Sequence, residues 1–333
     1  MTNLIITADW HIRIKPDIPE AWQVNRYRNL FQVVINHCKQ RNAQLILAGD
    51  IFDRNRPSLL EMQLFTELVT DLNAEGITTW LISGNHETIG RGESTFDYFV
   101  PLFQTLPCIT YNTSNEIFHP FTDEGCDLYL VGHPALSRPD YARSELRGKV
   151  TNILVSHFRC TVNQFIQEEL NVEKFTEWFD HVFAGDIHMP YQDDKLVYTN
   201  HPINSSFETT PNCGLLHVTL NNGEVTWKRV LVSLPNLIQI STTAAEFADT
   251  LDDYHYYRIE VTGTPEELRE ISTESGNTKL LKVPDVVETY VESEDAEEVR
   301  DTDLETALLD YLRQMDLEDD TIVKMMTIFK ETT

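Results

Sequence analysis

The sequence predicts an α/β protein: a two-sheet α/β sandwich followed by a small α/β capping domain and a C-terminal helical pair. Three observations predict it. Short apolar runs, each cut off by Gly or a polar cluster, recur through the first two thirds of the chain, the pattern of strands buried on both faces. Amphipathic stretches of helical period separate the early runs, whereas the later ones are joined by hairpin-like segments. The composition then changes: from Ser233 onward 25 acids face 8 bases, so the end of the chain differs in kind from its start.

Taken in order, Leu4-Ile5-Ile6 stops at Asp9-Trp10-His11 and lacks the cleavage-site pattern of a signal peptide, so it reads as a first strand. Residues 22–40 carry Val24, Leu30, Phe31, Val34, Ile35 and Cys38 at helical spacing. Leu45-Ile46-Leu47 precedes Gly49-Asp50-Ile51-Phe52-Asp53, and residues 59–75 repeat the amphipathic pattern with Leu60, Leu64, Phe65, Leu68, Val69 and Leu72. Trp80-Leu81-Ile82 leads into Gly84-Asn85-His86-Glu87. Asp127 to Gly132 and Gly214 to Leu220 read as hairpin-like, the latter turning at Asn222-Gly223 into Val225 to Val232. Between them Ile153-Leu154-Val155 precedes His157, and Val182-Phe183 precedes Gly185-Asp186-Ile187-His188.

These segments assign residues 1–234 to the main domain. Residues 235–284 hold a strand (Tyr256 to Val261), a helix opened by Thr264-Pro265-Glu266-Glu267, and a strand from Lys279 to Val283, together a capping domain. Residues 285–302 have the composition of a solvated acidic linker. Over 303–333, Leu304, Leu308, Tyr311, Leu312 and Met315 form one apolar stripe and Ile322, Met325, Met326 and Phe329 another, a helical pair whose Met-rich faces suit a partner surface.

Composition narrows the class. No apolar stretch approaches the ~18 residues of a membrane span, so the expected address is cytoplasmic. Cys38, Cys108, Cys126, Cys160 and Cys213 are scattered and never form C-x-x-C, which argues against disulfides and structural zinc. No Gly-rich loop of the G-x-x-x-x-G-K type occurs. The net charge of -27 is unexpected for a protein that handles polyanions, but residues 1–60 carry 8 bases against 5 acids. Arg13, Lys15, Arg54 and Arg56 in that stretch are the candidates for contact with a polyanion such as a nucleic-acid backbone.

In an open α/β sheet, ligands collect beyond the carboxyl ends of the strands, and each of the five early runs ends there in a metal-binding residue type. Phosphodiester cleavage needs an activated water, neutralised phosphoryl oxygens and a stabilised leaving group, which two divalent ions ~3.5 to 4 Å apart supply together. Asp9 and His11, two apart, would point to one side of an extended strand end, as would Asp186 and His188. Asp50 is the natural bridging carboxylate, Asn85 adds a neutral oxygen, and His157 closes the set. His86 is one residue past a ligand and is placed to orient the phosphate or protonate the departing oxygen. His133 reads as structural; His201, Asp193 and Asp194 remain unassigned.

The series D-x-H, G-D-x-x-D, G-N-H-E, a lone His and G-x-x-H is similar to the calcineurin-like metallophosphoesterase superfamily. Its arrangement resembles the nuclease subunit of the SbcCD and Mre-Rad type DNA break-processing complexes, with Asn55-Arg56-Pro57-Ser58 and Tyr198 to Phe207 adding to the likeness. The resemblance implies one metal held by Asp9, His11, Asp50 and His188 and another by Asp50, Asn85, His157 and Asp186, with His86 as the catalytic histidine. It further implies manganese, with magnesium the other candidate, a homodimer, and an ATPase partner with long coiled coils bound through the C-terminal helices. The activity it implies is 3′ to 5′ exonuclease on duplex ends, with endonuclease action as an extension. A phosphatase or cyclic-nucleotide phosphodiesterase on the same fold is the alternative, and an inactive scaffold subunit the second. Two positions depart from the nuclease pattern: Asp186 stands where a histidine is usual, and Asp53 stands where a histidine often contacts DNA. Asp53 is read as an anchor for a ligand histidine.

Overall fold

Alternate side chains of the first strand serve two different cores. β1 (Thr2–Thr7) sends Ile5 toward the helices and Leu4 and Ile6 toward a second sheet, all fully buried, because successive strand residues face opposite ways. The computed structural model describes residues 1–90, 92–111, 122–123, 125–136, 150–160, 178–208, 213–247, 251–273 and 276–284. Met1–Asp285 form one compact unit. The acidic linker and helical pair expected over 285–333 lie outside the described residues.

After β1 come α1 (Glu20–Arg41), β2 (Ala43–Ala48), α2 (Leu59–Ala74) and β3 (Thr79–Ile82). α1 buries Tyr27, Leu30, Phe31, Val34, Ile35 and Cys38, and it stops at Asn42, whose left-handed backbone (φ 46°) turns the chain out of the helix. α2 opens with a capping box in which Ser58 and Glu61 satisfy each other's backbone N–H groups. Glu61 also accepts from Ile14 N at 2.8 Å, tying the loop after β1 to the start of α2.

A two-stranded ribbon of β4 (Thr88–Ile89) and β5 (Glu93–Ser94) is followed by α3 (Val100–Phe103) and β6 (Ile109–Tyr111). Then come β7 (Thr122–Asp123), β8 (Cys126–Val131), β9 (Thr151–His157), β10 (His181–Gly185), β11 (Leu196–Tyr198), β12 (Gly214–Asn221) and β13 (Glu224–Leu231). One sheet has the order β13-β12-β1-β2-β3-β6 and the other β11-β10-β9-β8-β7. β1, β2, β3 and β6 are parallel, and the β12–β13 hairpin adds antiparallel to the edge of β1. The hairpin reading of Asp127 to Gly132 holds only at the start of the strand. β8 pairs antiparallel only with the two-residue β7 and runs parallel to β9 along its length, as suits a strand buried at every position.

Leu4, Ile6, Ile46 and Ile82 from the first sheet pack against Leu128, Leu130, Ile153, Val155 and Phe183 from the second. This apolar layer holds the carboxyl ends of β1, β2 and β3 beside those of β9 and β10. A third sheet consists of β14 (Leu237–Thr243), β15 (Tyr256–Gly263) and β16 (Thr278–Pro284), all parallel, with α4 (Pro265–Glu270) between the last two. Sequence reading expects only two strands here. β14 escapes it because four of its seven residues are polar, as befits an edge strand in contact with water. The buried Arg26 guanidinium ties the segment entering β14 to α1, donating to Pro235 O at 2.7 Å and Asn204 Oδ1 at 2.6 Å. Among the described residues no helix is long and apolar enough to cross a membrane.

Candidate metal centre

Four of the seven ligand candidates hold left-handed backbone: Asp9 (φ 58°), His11 (φ 44°), Asp50 (φ 51°) and Asp186 (φ 95°). Outside glycine such geometry costs of order 1–3 kcal/mol per residue and gathers at functional sites. It also corrects the expected placement of Asp9 with His11 and of Asp186 with His188. β1 ends at Thr7 and β10 at Gly185, so these side chains converge through tight turns beyond the strands and not through the alternation of an extended segment.

Backbone hydrogen bonds fix the turns. Asp9 N donates to Gly49 O at 3.1 Å and His11 N to Asp50 O at 3.0 Å, which ties the first two loops together. Glu87, fully buried, accepts from Asp50 N (2.9 Å), Phe52 N (2.7 Å) and Gly84 N (2.8 Å). One carboxylate thus frames the loops after β2 and β3. Gly84 is required in this frame, since a Cβ there would run into the Asp50 carboxylate. Sequence reading quotes Glu87 within its motif without giving it this task; the signal was a charged residue directly after two ligand-type residues at a buried strand end.

The structure brings the candidates together. The ligand atoms of Asp9, His11 and His188 lie within 4.8 Å of one another, as do those of Asp9, Asp50 and His157, and those of His11, Asp53 and His86. His11 Nε2 and His188 Nε2 are 3.0 Å apart, and His157 Nε2 is 3.3 Å from Asp50 Oδ2. His157 Nδ1 donates to Ala48 O at 2.8 Å, which fixes the ring with Nε2 toward Asp50. The Asn85 side-chain oxygen is 3.1 Å from that nitrogen and 3.1 and 3.0 Å from the two Asp50 oxygens. With its nitrogen at that place the amide donates to both Asp50 oxygens, and turning it over would offer the oxygen to a cation there. Asp186 joins none of the three groups; its oxygens accept from Arg159 Nε at 2.8 Å and NH2 at 3.0 Å.

Electrostatics shows the same demand for positive charge. Burial pushes Asp9 up to about 8, with His157 opposing and Asp50 reinforcing the shift. Burial would also raise Asp50, yet His157, His11 and His86 hold it well below the usual carboxylate range. Burial disfavours charge on His157, but Asp50, Asp9 and Asp186 outweigh it and push the ring up to about 10. Burial lowers His11 to about 3 and lowers His188 as well, keeping both rings neutral and able to ligate. Glu87 is pushed up to about 7 by burial and by Asp50. Buried carboxylates, neutral imidazoles and an amide oxygen form a donor set that fits divalent cations.

Around this centre is a cleft of about 250 Å³ lined by His11, Asp50, Asp53, His86, Arg159, Asp186, His188 and Ser205. His86 is 37% exposed there; its Nδ1 donates to Asp53 O at 2.7 Å, so Nε2 faces the cleft 3.8 Å from Asp50 Oδ2. Asp53 Oδ1 lies 3.5 Å from His11 Nδ1 and its Oδ2 2.6 Å from Arg13, so this residue reaches two histidines, one by side chain and one by backbone. Of the other basic candidates, Lys15 donates to Ser205 O beside the cleft, Arg54 pairs with Glu61, and Arg56 is exposed. His133 Nδ1 is 3.4 Å from Thr88 Oγ1. His201, left unassigned by sequence, is buried with its ring 5.1 Å from that of His188.

Two facing sheets whose strand ends gather two overlapping ligand sets define a metal-dependent phosphoesterase. Residues 2–190, more than half of the chain, match the calcineurin-like phosphoesterase family, and the protein belongs to it. That family of hydrolases normally binds two divalent metals. Among solved structures the chain is similar to a dimetal phosphatase from Danio rerio, at 11% identity and a TM-score of 0.44, covering 68% of this chain and 95% of that one. It is also similar to an archaeal phosphodiesterase, at 10% identity and a TM-score of 0.37, covering 69% of this chain and all of the other.

Proposed function

We propose that the protein is a metal-dependent DNA nuclease, degrading duplex ends from the 3′ side and able to cut internally, that works with a coiled-coil ATPase in DNA break processing, repair or recombination. The observation that carries the reading is the convergence of the groups Asp9, His11, His188 and Asp9, Asp50, His157 beside the partly exposed His86 at the cleft. The choice of DNA over other phosphodiesters rests on the order of the motifs and on Asn55-Arg56-Pro57-Ser58.

When bound, two divalent ions, manganese or magnesium, supply the Lewis acidity that neutralises phosphoryl oxygens and acidifies the attacking water. Asp9, His11, Asp50 and His188 would hold one, and Asp50, Asn85, His157 and Asp186 the other. His86, whose Nδ1 donates to Asp53 O, presents Nε2 to the scissile phosphate and, when the ring also carries a proton on Nε2, gives that proton to the departing oxygen and is left as the neutral imidazole. Asp53 keeps His11 and Arg13 in place, and Arg13, Lys15, Arg54 and Arg56 offer positive charge to the nucleic-acid backbone.

Purified protein incubated with Mn²⁺ and end-labelled duplex DNA, p-nitrophenyl phosphate or a cyclic nucleotide tests the reading. Progressive shortening of the duplex supports it. Hydrolysis of a small ester without DNA cleavage would instead make the chain a phosphatase or cyclic-nucleotide phosphodiesterase, and inertness toward all three a scaffold. The ATPase and the homodimer are tested separately. Deleting residues 301–333 should spare the isolated subunit's Mn²⁺-dependent activity while greatly weakening co-purification with the ATPase, and light scattering should give twice the chain mass.

A further inference from the structure

One candidate ligand already has a cation of the protein's own. Arg159 lies two residues beyond His157 at the end of β9, and Asp186 directly follows β10, the neighbouring parallel strand in which Gly185 pairs with His157. The strand register therefore delivers the guanidinium side-on to the carboxylate, with Nε to Oδ2 at 2.8 Å and NH2 to Oδ1 at 3.0 Å. Two parallel charge-assisted bonds are the strongest form of this pairing. Asp186 is 3% exposed and Arg159 40%, so the carboxylate is sunk in the site while the cation stands at the cleft.

The other carboxylates are treated differently. Among the described residues neither Asp9 nor Asp50 forms an ion pair with Arg or Lys; their neighbours are histidines and backbone N–H groups. Histidines ligate a metal when neutral, whereas a guanidinium cannot ligate and repels it. Asp186 Oδ1 is also 3.9 Å from His157 Nε2, so a divalent ion shared by these two residues must either divide the carboxylate with Arg159 or displace it.

We propose that Arg159 sets the two metal positions apart: it competes with the second divalent ion for Asp186, so that the position built from Asp9, His11, Asp50 and His188 fills first and the one completed by Asp186 fills only at higher metal concentration. This rests on the two-metal reading of the site and not on DNA as substrate. The rival role for Arg159 is that of an orienting neighbour, holding Asp186 ready for the metal as second-layer partners commonly do. The two roles give opposite signs.

The experiment is a titration of the full-length protein with Mn²⁺ alone, followed by calorimetry and by the electron paramagnetic resonance of free and paired ions. The wild type should show two separate steps. Arg159→Ala should tighten the second step by about tenfold, the low end of what changes next to metal ligands produce, and leave the first step within about twofold; Arg159→Lys, which keeps the charge but not the bidentate grip, should fall between. In an Asp186→Asn background the second step should weaken, and Arg159→Ala should then have no further effect. A second step that is unchanged or weaker in Arg159→Ala overturns the proposal, as does tightening that survives Asp186→Asn. A wild type that binds no Mn²⁺ at all would remove the metal site itself, and the inference with it.

Discussion

The backbone N–H of Asp186 lies 3.1 Å from each carboxylate oxygen of Asp9, across 177 residues of sequence. This forked contact joins the loop after β1, in one sheet, to the loop after β10, in the other. Each sheet supplies part of the site: the groups Asp9, His11, His188 and Asp9, Asp50, His157 each draw on both sheets, while His11, Asp53 and His86 follow strands of the first alone.

Asp50 and His86 should fail in different ways. Asp50 touches both ligand sets, so Asp50→Ala is expected to lose turnover beyond about 10³-fold and to bind less than two equivalents of Mn²⁺. His86→Ala should keep two equivalents while losing about 10² to 10⁴ in kcat, the usual worth of a positioned acid. Calorimetry beside single-turnover kinetics checks both. If His86→Ala bound no metal while Asp50→Ala still bound two, the assigned roles would be wrong.

Asp186 brings a hard oxygen to a position where the nuclease pattern that the sequence resembles has an imidazole. Hard ligands favour Mg²⁺ relative to softer ions, so Asp186→His should lower the ratio of Mg²⁺-supported to Mn²⁺-supported activity. Equal ratios in the two proteins would remove the argument.

Glu87→Ala strips three buried backbone N–H groups of their acceptor. At about 1–3 kcal/mol for each group left unpaired, the variant should lose at least about 3 kcal/mol of stability, read from the urea midpoint. A loss under about 1 kcal/mol would mean that water or a shifted loop satisfies those groups.

Gly185→Ala would set a methyl 2.6 Å from both His157 Nδ1 and Ala8 Cβ. Overpacking of this kind costs about 1–3 kcal/mol. The variant should fold with a lowered melting temperature and bind Mn²⁺ more weakly, because His157 has to move away from Asp50. Wild-type Mn²⁺ affinity would show that the ring tolerates the intrusion.

Much of this was legible in the sequence, for identifiable reasons. Leu4-Ile5-Ile6, Leu45-Ile46-Leu47 and Ile153-Leu154-Val155 announce strands because burial on both faces leaves no polar position within them. α1 and α2 were visible for the converse reason, since only one face is buried. The ligand types stood out because they interrupt those runs. Hidden from a linear reading was whatever depends on partners far apart in the chain, such as Arg159 on Asp186 or Glu87 on Asp50 and Phe52. The left-handed turns at Asp9 and Asp50 were also missed, because aspartate carries no mark of such a backbone as glycine does.

The shared construction of the site makes metal a structural ligand as well as a chemical one. An ion held by residues from both sheets binds only while the two sheets are face to face, so it draws the equilibrium toward the assembled sandwich. A hundredfold excess over the dissociation constant is worth about 2.7 kcal/mol by mass action. A chelator should therefore lower the melting temperature and open the loops after β1 and β10 to proteolysis, and Mn²⁺ should reverse both. A cell short of the ion would hold a less stable protein as well as a less active one.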